Sequence, residues 1–279
     1  MMAPQPERVL EKHDVVGPRG ILYPERRSAL GSLHRLAPSP DLAPFVGHYW
    51  IITWDLRGHE PQTQETLPHP SVHVAMESGR SGIFGVVKGR FTRVIEGKGR
   101  VFGIKFRPGG FHPFVKCPVS RLTNRIVPLG DVFGAAGDGL AAAVLAKRSE
   151  RAMIAVAEDF LRQQNPERDA VAERVADIVE QIAVDRTITT VETVAGKNGL
   201  TVRSLQRLFS RYVGVSPKWV INRHRLHEVV DRLAKGEPID WTQLALDLGY
   251  FDQAHLINDF KSIVGYTPTQ YQSQLAKHS

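Results

Sequence analysis

The sequence predicts an α+β protein of two domains, a β-rich barrel- or sandwich-like N-terminal domain followed by an all-α C-terminal domain with two helix-turn-helix units. Three observations predict it. Between about 33 and 115, short segments rich in aromatic and β-branched residues are separated by Gly and Pro, as in antiparallel strands joined by turns. The C-terminal third matches itself at an offset of 51 residues, which marks a duplicated unit. Between the two patterns stands Asn165-Pro166, and a residue before Pro is biased out of the helical region. The expected organisation is a tail over 1–30, a β-rich domain with trailing helices over 31–164, and a helical domain over 165–279.

A chain of 279 residues is long enough for two cores. With 42% hydrophobic and 23% charged residues, a disordered or fibrous protein is excluded. No run of about 18 apolar residues occurs, and the first residues carry charge and proline where a signal peptide needs an apolar stretch. A cytoplasmic protein without a membrane partner is expected. The single cysteine, Cys117, excludes an internal disulfide and a multi-cysteine zinc site. A formal net charge of +7 suits a polyanionic partner.

Taken in order, strands are expected over 45–55, 71–76, 82–87, 91–96 and 100–106. From Gly139 to Gln164 the composition turns to Ala, Leu, Glu and Arg, so one or two helices follow the strands. Trp50 and Trp54, four apart in the first of these strands, share a face. With Phe84, Phe102 and Phe106 they line an apolar effector pocket or pack as aromatic core. In the loop F-R-P-G-G-F-H-P-F at 106–114, Arg107 and the Gly109-Gly110 turn hold an anionic effector through backbone amides, or simply close the barrel. His48, His69, His73 and His112 raise the question of a metal. His69 and His73 lie about 13 Å apart along an extended stretch, too far for joint ligation at about 2 Å from zinc. No metal and no cofactor is expected.

The repeat carries the helical half. Leu205, Phe209, Val213, Gly214 and Pro217 recur as Leu256, Phe260, Val264, Gly265 and Pro268, and Ala195 and Gly199 recur at offset 50 as Ala245 and Gly249. Each copy reads as short helix, turn with Gly, second helix, then Gly-x-Ser/Thr-Pro, the order of a helix-turn-helix. Thr189 with Glu192, and Asp240 with Gln243, are candidate capping boxes; Thr201 and Asp252 start the second helix of each copy. On the helix from Thr201, Val202, Leu205, Leu208, Phe209, Tyr212 and Val213 make the core face, while Arg203, Ser204, Gln206, Arg207, Ser210 and Arg211 make a donor-rich face. Ser216-Pro217 opens a connecting helix of about 18 residues that spans roughly 27 Å. From Lys197 through Arg225 there are seven basic residues, Lys197, Arg203, Arg207, Arg211, Lys218, Arg223 and Arg225, and no acid, as phosphate contact needs. From Glu228 through Asp259 seven acids reverse the balance.

The segments L-Q-R-L-F at 205–209, G-V-S-P at 214–217, L-G-Y-F-D-Q-A-H-L at 248–256, and F-K-x-x-x-G-x-T-P-x-x-Y at 260–271 resemble the AraC/XylS family of bacterial regulators over about residues 170–273. The 106–114 loop resembles one in a group of such regulators with a poorly characterised N-terminal domain. The resemblance implies a seven-helix domain whose third and sixth helices enter adjacent major grooves of double-stranded DNA. Carried over by position, Arg203, Gln206 and Arg207 read bases from the first helix, with Ser204, Arg211 and Lys218 beside them. Gln253, Ala254 and Asn258 take the corresponding places in the second, with His255 and Lys261. Asn258 departs from the Arg common in the family, and Asp259 adds a charge that phosphates repel.

The implied function is a transcription regulator, an activator by family analogy, with RNA polymerase as protein partner and no enzymatic activity. Its N-terminal domain binds a small-molecule effector or makes a homodimer. Two other classes stay open from the residues alone: a DNA-repair methyl acceptor using Cys117, although no base accompanies that thiol in the sequence, and a constitutive DNA-binding protein without ligand control.

Overall fold

The computed structural model describes residues 22, 31–236 and 238–276; the tail expected over 1–30 lies outside them apart from Leu22. The strands are β1 (Gly31–Leu36), β2 (Val46–Asp55), β3 (Gln62–Thr66), β4 (His73–Glu77), β5 (Gly82–Phe84), β6 (Phe91–Ile95), β7 (Lys98–Phe106) and, after the short helix α1 (His112–Val115), β8 (Ile126–Val127). Six form one antiparallel sheet in the order β1-β2-β7-β4-β5-β8, and β3 pairs with β6 in a separate ribbon. An antiparallel β domain thus precedes an all-helical region. Three strands escape sequence reading. β3, Gln-Thr-Gln-Glu-Thr, has no apolar residue to alternate, β8 has two residues, and β1, Gly-Ser-Leu-His-Arg-Leu, has two apolar side chains three apart and so no period-two alternation; ladder pairing alone places them.

Period-two alternation splits the large sheet into two faces. Tyr49, Ile51, Val74, Met76, Phe102, Ile104 and Phe106 point to one, buried with Leu140, Val144, Met153, Ala157 and Leu161 of helices α3 (Ala135–Leu145) and α4 (Glu150–Gln163), which follow the short α2 (Leu129–Phe133). Trp50, Ile52, Trp54, Ala75 and Val101 point to the other, where Phe84 and Ile95 meet them. The expected aromatic pocket is therefore corrected. Phe102 and Phe106 lie on the helix-covered face, whereas Trp50, Trp54 and Phe84 lie on the opposite one. The register Trp50↔Gly103 and Trp54↔Gly99 lets both indoles lie on bare backbone: a Cβ at Gly103 or Gly99 would sit 1.9 or 2.1 Å from a ring atom.

The 106–114 loop packs as a closure. Its Arg107 and Gly110 amides donate to Phe45 O at 2.8 Å and Arg107 O at 2.9 Å. Gly109 has φ +81°, and a Cβ there would meet Ala172 O at 2.9 Å. Those two amides are spent inside the protein, and the Arg107 guanidinium lies 4.0 Å from Asp177, so the anion-nest reading of this turn is withdrawn.

The helical half contains α5 (Ala170–Val184), α6 (Val191–Lys197), α7 (Val202–Tyr212), α8 (Pro217–Ala234), α9 (Trp241–Asp247), α10 (Gln253–Val264) and α11 (Pro268–Ala276). It has two cores. The first joins Val175, Ile178, Val194, Leu205, Phe209, Val220 and Ile221; the second joins Leu226, Val229, Leu233, Leu244, Leu256, Phe260 and Tyr271. Helix α8 contributes to both, so its 18 residues couple the two units as a rod. The sheet domain intrudes on each: Val86 enters the first core and Leu67, with Leu22, the second. No helix among the described residues is long and apolar enough to cross a membrane.

Candidate nucleic-acid interface

The duplicated turns do the same work in both copies. Leu200 N–H donates to Ala195 O at 2.9 Å and Tyr250 N–H to Ala245 O at 2.8 Å, each closing α6 or α9 through a Gly at positive φ, +62° at Gly199 and +72° at Gly249. This arrangement satisfies the last carbonyls of a helix and bends the chain sharply into the next. Gly249 also faces Thr189, whose Cβ would lie 2.7 Å from an added Cβ. Gly249→Ala is expected to cost about 1–2 kcal/mol from the left-handed backbone alone, read as a lower urea midpoint; an unchanged midpoint would show that the turn yields freely.

Thr201 caps α7 by accepting from Ser204 N at 3.1 Å, and Leu205, Phe209 and Tyr212 are buried. This leaves Arg203, Gln206 and Arg207 exposed on the opposite face, and among the described residues neither Arg makes an ion pair. Ser204 is half-buried, its hydroxyl accepting from Thr201 Oγ at 3.0 Å. Lys218 is exposed in the first turn of α8. Asp252 caps α10 by accepting from His255 N at 2.7 Å; Gln253, Ala254, His255, Asn258 and Lys261 are exposed. The His255 ring sits edge-on to Tyr250 at 5.2 Å. Phe251, 88% exposed, stands immediately before the cap Asp252 of α10.

Several sequence expectations change. The cap of α6 is Thr190, accepting from Thr193 N at 3.1 Å, not Thr189. Asp240 accepts from Thr242 N and Gln243 N, both at 3.0 Å, but the Gln243 amide turns to Asp247 at 2.8 Å, so no reciprocal box forms. Asp259 does not face outward: its carboxylate accepts from Tyr250 OH at 2.8 Å and Asn222 Nδ2 at 3.1 Å, which fastens α10 to α8. Burial and then Asp259 push the Tyr250 hydroxyl well above its ordinary pKa.

The run of seven cations also divides. Arg223, fully buried, donates to Lys88 O and lies over the Trp219 ring at 4.6 Å; burial lowers its pKa to about 10. Arg225 donates to Ile188 O at 2.8 Å, and Lys197 pairs with Asp185 at 2.9 Å. Arg211 Nε reaches His112 Nε2 at 3.2 Å, drawing that side chain onto the sheet domain. Lys197 and Arg211 keep exposed surface as well, but Arg203, Arg207 and Lys218 are the exposed cations of the run that make no hydrogen bond or ion pair among the described residues. Trp219 Nε1 donates to Lys88 O at 3.2 Å and Thr123 Oγ to Gly214 O at 2.6 Å, so the sheet domain holds the junction between α7 and α8.

Among the histidines, His69 stacks edge-on with His227 at 4.6 Å and His112 lies 4.3 Å from the Tyr212 ring, while His48 and His73 flank Lys105 in the sheet register. Half-buried Cys117 lies 3.8 Å from Pro118 O.

A family described as "Helix-turn-helix domain" matches residues 194–274, and one described as "Domain of unknown function (DUF6597)" matches residues 34–128. No curated protein matches. Solved structures of ToxT from Vibrio cholerae are similar at low identity. An apo variant from strain SCE256 is 12% identical with a TM-score of 0.35, covering 81% of this chain and 97% of that one. ToxT from O395 is 12% identical, TM-score 0.35, covering 88% and 97%. An unsaturated fatty acid-bound form is 13% identical, TM-score 0.33, covering 89% and 94%. At such scores the likeness carries no functional argument.

Proposed function

We propose, from the premise that this chain carries an AraC-type helix-turn-helix domain behind a domain of unknown function, that it is a sequence-specific DNA-binding transcription regulator whose sheet domain responds to a small molecule. The observation that carries the reading is that α7 and α10 present exposed polar faces while their apolar faces are locked into cores sharing α8. A rod of about 27 Å suits two helices reading major grooves about 34 Å apart on one side of a duplex. Arg203, Gln206 and Arg207 are the base readers on α7, and Gln253, Ala254 and Asn258 those on α10, with Lys218 and Lys261 as phosphate contacts. Activation through RNA polymerase is the expected output, and the sheet domain, with the helices through residue 164, is the sensing or dimerising part.

Selection of bound duplexes from a random pool by the full chain, at physiological salt, tests this. A recovered motif with two blocks about one helical turn apart is expected; recovery no better than random competitor would sink it. On the selected duplex, Lys218→Ala is expected to weaken binding uniformly and to flatten the slope of log affinity against log salt by about 0.9. A sequence-dependent loss there would mean that Lys218 reads bases.

A further inference from the structure

The two turns differ by one residue. Leu200 and Tyr250 make the same backbone bond, to Ala195 O and Ala245 O, and Thr201 and Asp252 are the caps that begin α7 and α10. Thr201 follows Leu200 directly, whereas Phe251 stands between Tyr250 and Asp252. Phe251 is thus the inserted residue that moves the repeat from offset 50 to offset 51. Neither core needs it: at 88% it is the most exposed large apolar side chain among the described residues. A single apolar residue on a surface is ordinary, but this one is added at the leading end of a reading helix and is held on both sides. Before it, Tyr250 is buried with its hydroxyl on Asp259; after it, the Asp252 carboxylate accepts from His255 N. The backbone at Phe251 is fixed by these neighbours, so docking the ring on a partner orders little that is still free.

A helix-turn-helix docks with the N-terminal residues of its second helix against base edges. In the major groove guanine is matched by Arg or Lys, adenine by the paired donor and acceptor of Asn or Gln, and the thymine 5-methyl group by an apolar side chain such as Phe or Ala. On α7 the exposed face carries Arg203 and Arg207, which fit guanine. On α10 the basic residue Lys261 lies in the last turn, away from that end. The leading end instead exposes Phe251, Gln253 and Ala254, with Asn258 one turn on. Asp252 and His255 between them are engaged with the cap and with the Tyr250 ring. Two amides and two apolar groups are a set for A·T pairs.

We propose that Phe251 is a specificity-determining residue that packs on the 5-methyl group of a thymine, so that the DNA block under α10 is built of A·T pairs where the block under α7 holds guanine. The proposal rests on the regulator reading and deepens it by naming the bases that each unit selects.

The test uses the full chain and the duplex recovered by selection, at one fixed salt concentration. Selection repeated with Arg207→Ala, which blurs the α7 block, tells the two blocks apart. Each thymine of the other block is then replaced in turn by deoxyuridine, which removes the methyl group and keeps every hydrogen bond. In the wild type one such replacement is expected to weaken binding about three- to fivefold, the worth of one buried methyl group. Phe251→Ser is expected to weaken binding of the thymine duplex by about as much, with that same uridine now costing nothing, while Phe251→Leu, still apolar, keeps the uridine effect. The Tm of Phe251→Ser stays at the wild-type value, because the ring is exposed, and its salt slope is unchanged, because no phosphate contact is lost. A block without thymine, no loss from any uridine in the wild type, or an undiminished uridine loss in Phe251→Ser would each overturn the proposal and leave the regulator reading standing. A pool that yields no motif at all would remove both.

Discussion

Arg207→Ala is expected to weaken binding to the selected duplex by roughly 5- to 150-fold, the consequence of losing about 1–3 kcal/mol of bidentate recognition. Arg207 stands in the middle of the exposed face of α7, on a helix without an acidic residue, so nothing within its reach on the helix competes for the guanidinium. Asn258, also exposed, is the position on α10 that would answer it. Its shorter amide is worth less, and Asn258→Ala is expected to cost less than about fivefold. The two copies are therefore unequal readers despite their common turns. Titrations at one fixed salt concentration compare the variants, since affinity without stated salt has no meaning here. Equal losses would show that α10 contributes as much as α7 and would end the asymmetric picture.

Arg223→Ala is expected to lower the stability of the full chain by about 2–3 kcal/mol and to loosen the two halves from each other. The side chain is wholly buried, gives a charge-assisted hydrogen bond to Lys88 O, and covers the Trp219 ring. Hydrogen bonds to charged groups contribute about 1.5–3 kcal/mol, and removal leaves the carbonyl with Trp219 as its remaining donor. The loss is moderated because the cavity no longer has to desolvate a guanidinium. Unfolding midpoints read the stability, and hydrogen exchange in the 86–90 loop reads the loosening. A variant with an unchanged midpoint and unchanged exchange would show that Arg223 fills space without tying the halves together. The same contact bears on regulation, because a sheet domain that grips α8 is placed to alter the spacing of α7 and α10.

Much of the helical half was legible because its signals are local. Gly199 and Gly249, Thr201 and Asp252, Ser216-Pro217 and the apolar spacing of Leu205, Phe209, Leu256 and Phe260 each act within one or two helical turns. Repetition at a fixed offset then supplied the pairing. The neighbouring Thr189 and Thr190 could not be told apart from sequence, since either hydroxyl suits a cap and the choice depends on where the preceding loop is held. The five apolar strands were readable from alternation, whereas β3 was not, because a ribbon of Gln, Thr and Glu is stabilised by ladder hydrogen bonds and the neighbours it covers.

By itself, the sequence determined the order of sheet then helices, the duplicated helix-turn-helix, and the polar faces of α7 and α10, all consequences of periodicity and end chemistry. Only the tertiary structure decided how each charge is used. Arg223 and Arg225 are turned inward, Arg211 leans on the sheet domain, Asp259 braces α10, and Lys105 is set between two histidines in the sheet register. It also parted Trp50 and Trp54 from Phe102 and Phe106. The physical reason is that a residue's type states what it can bond, while its partner, often more than a hundred positions away, is set by how whole elements pack.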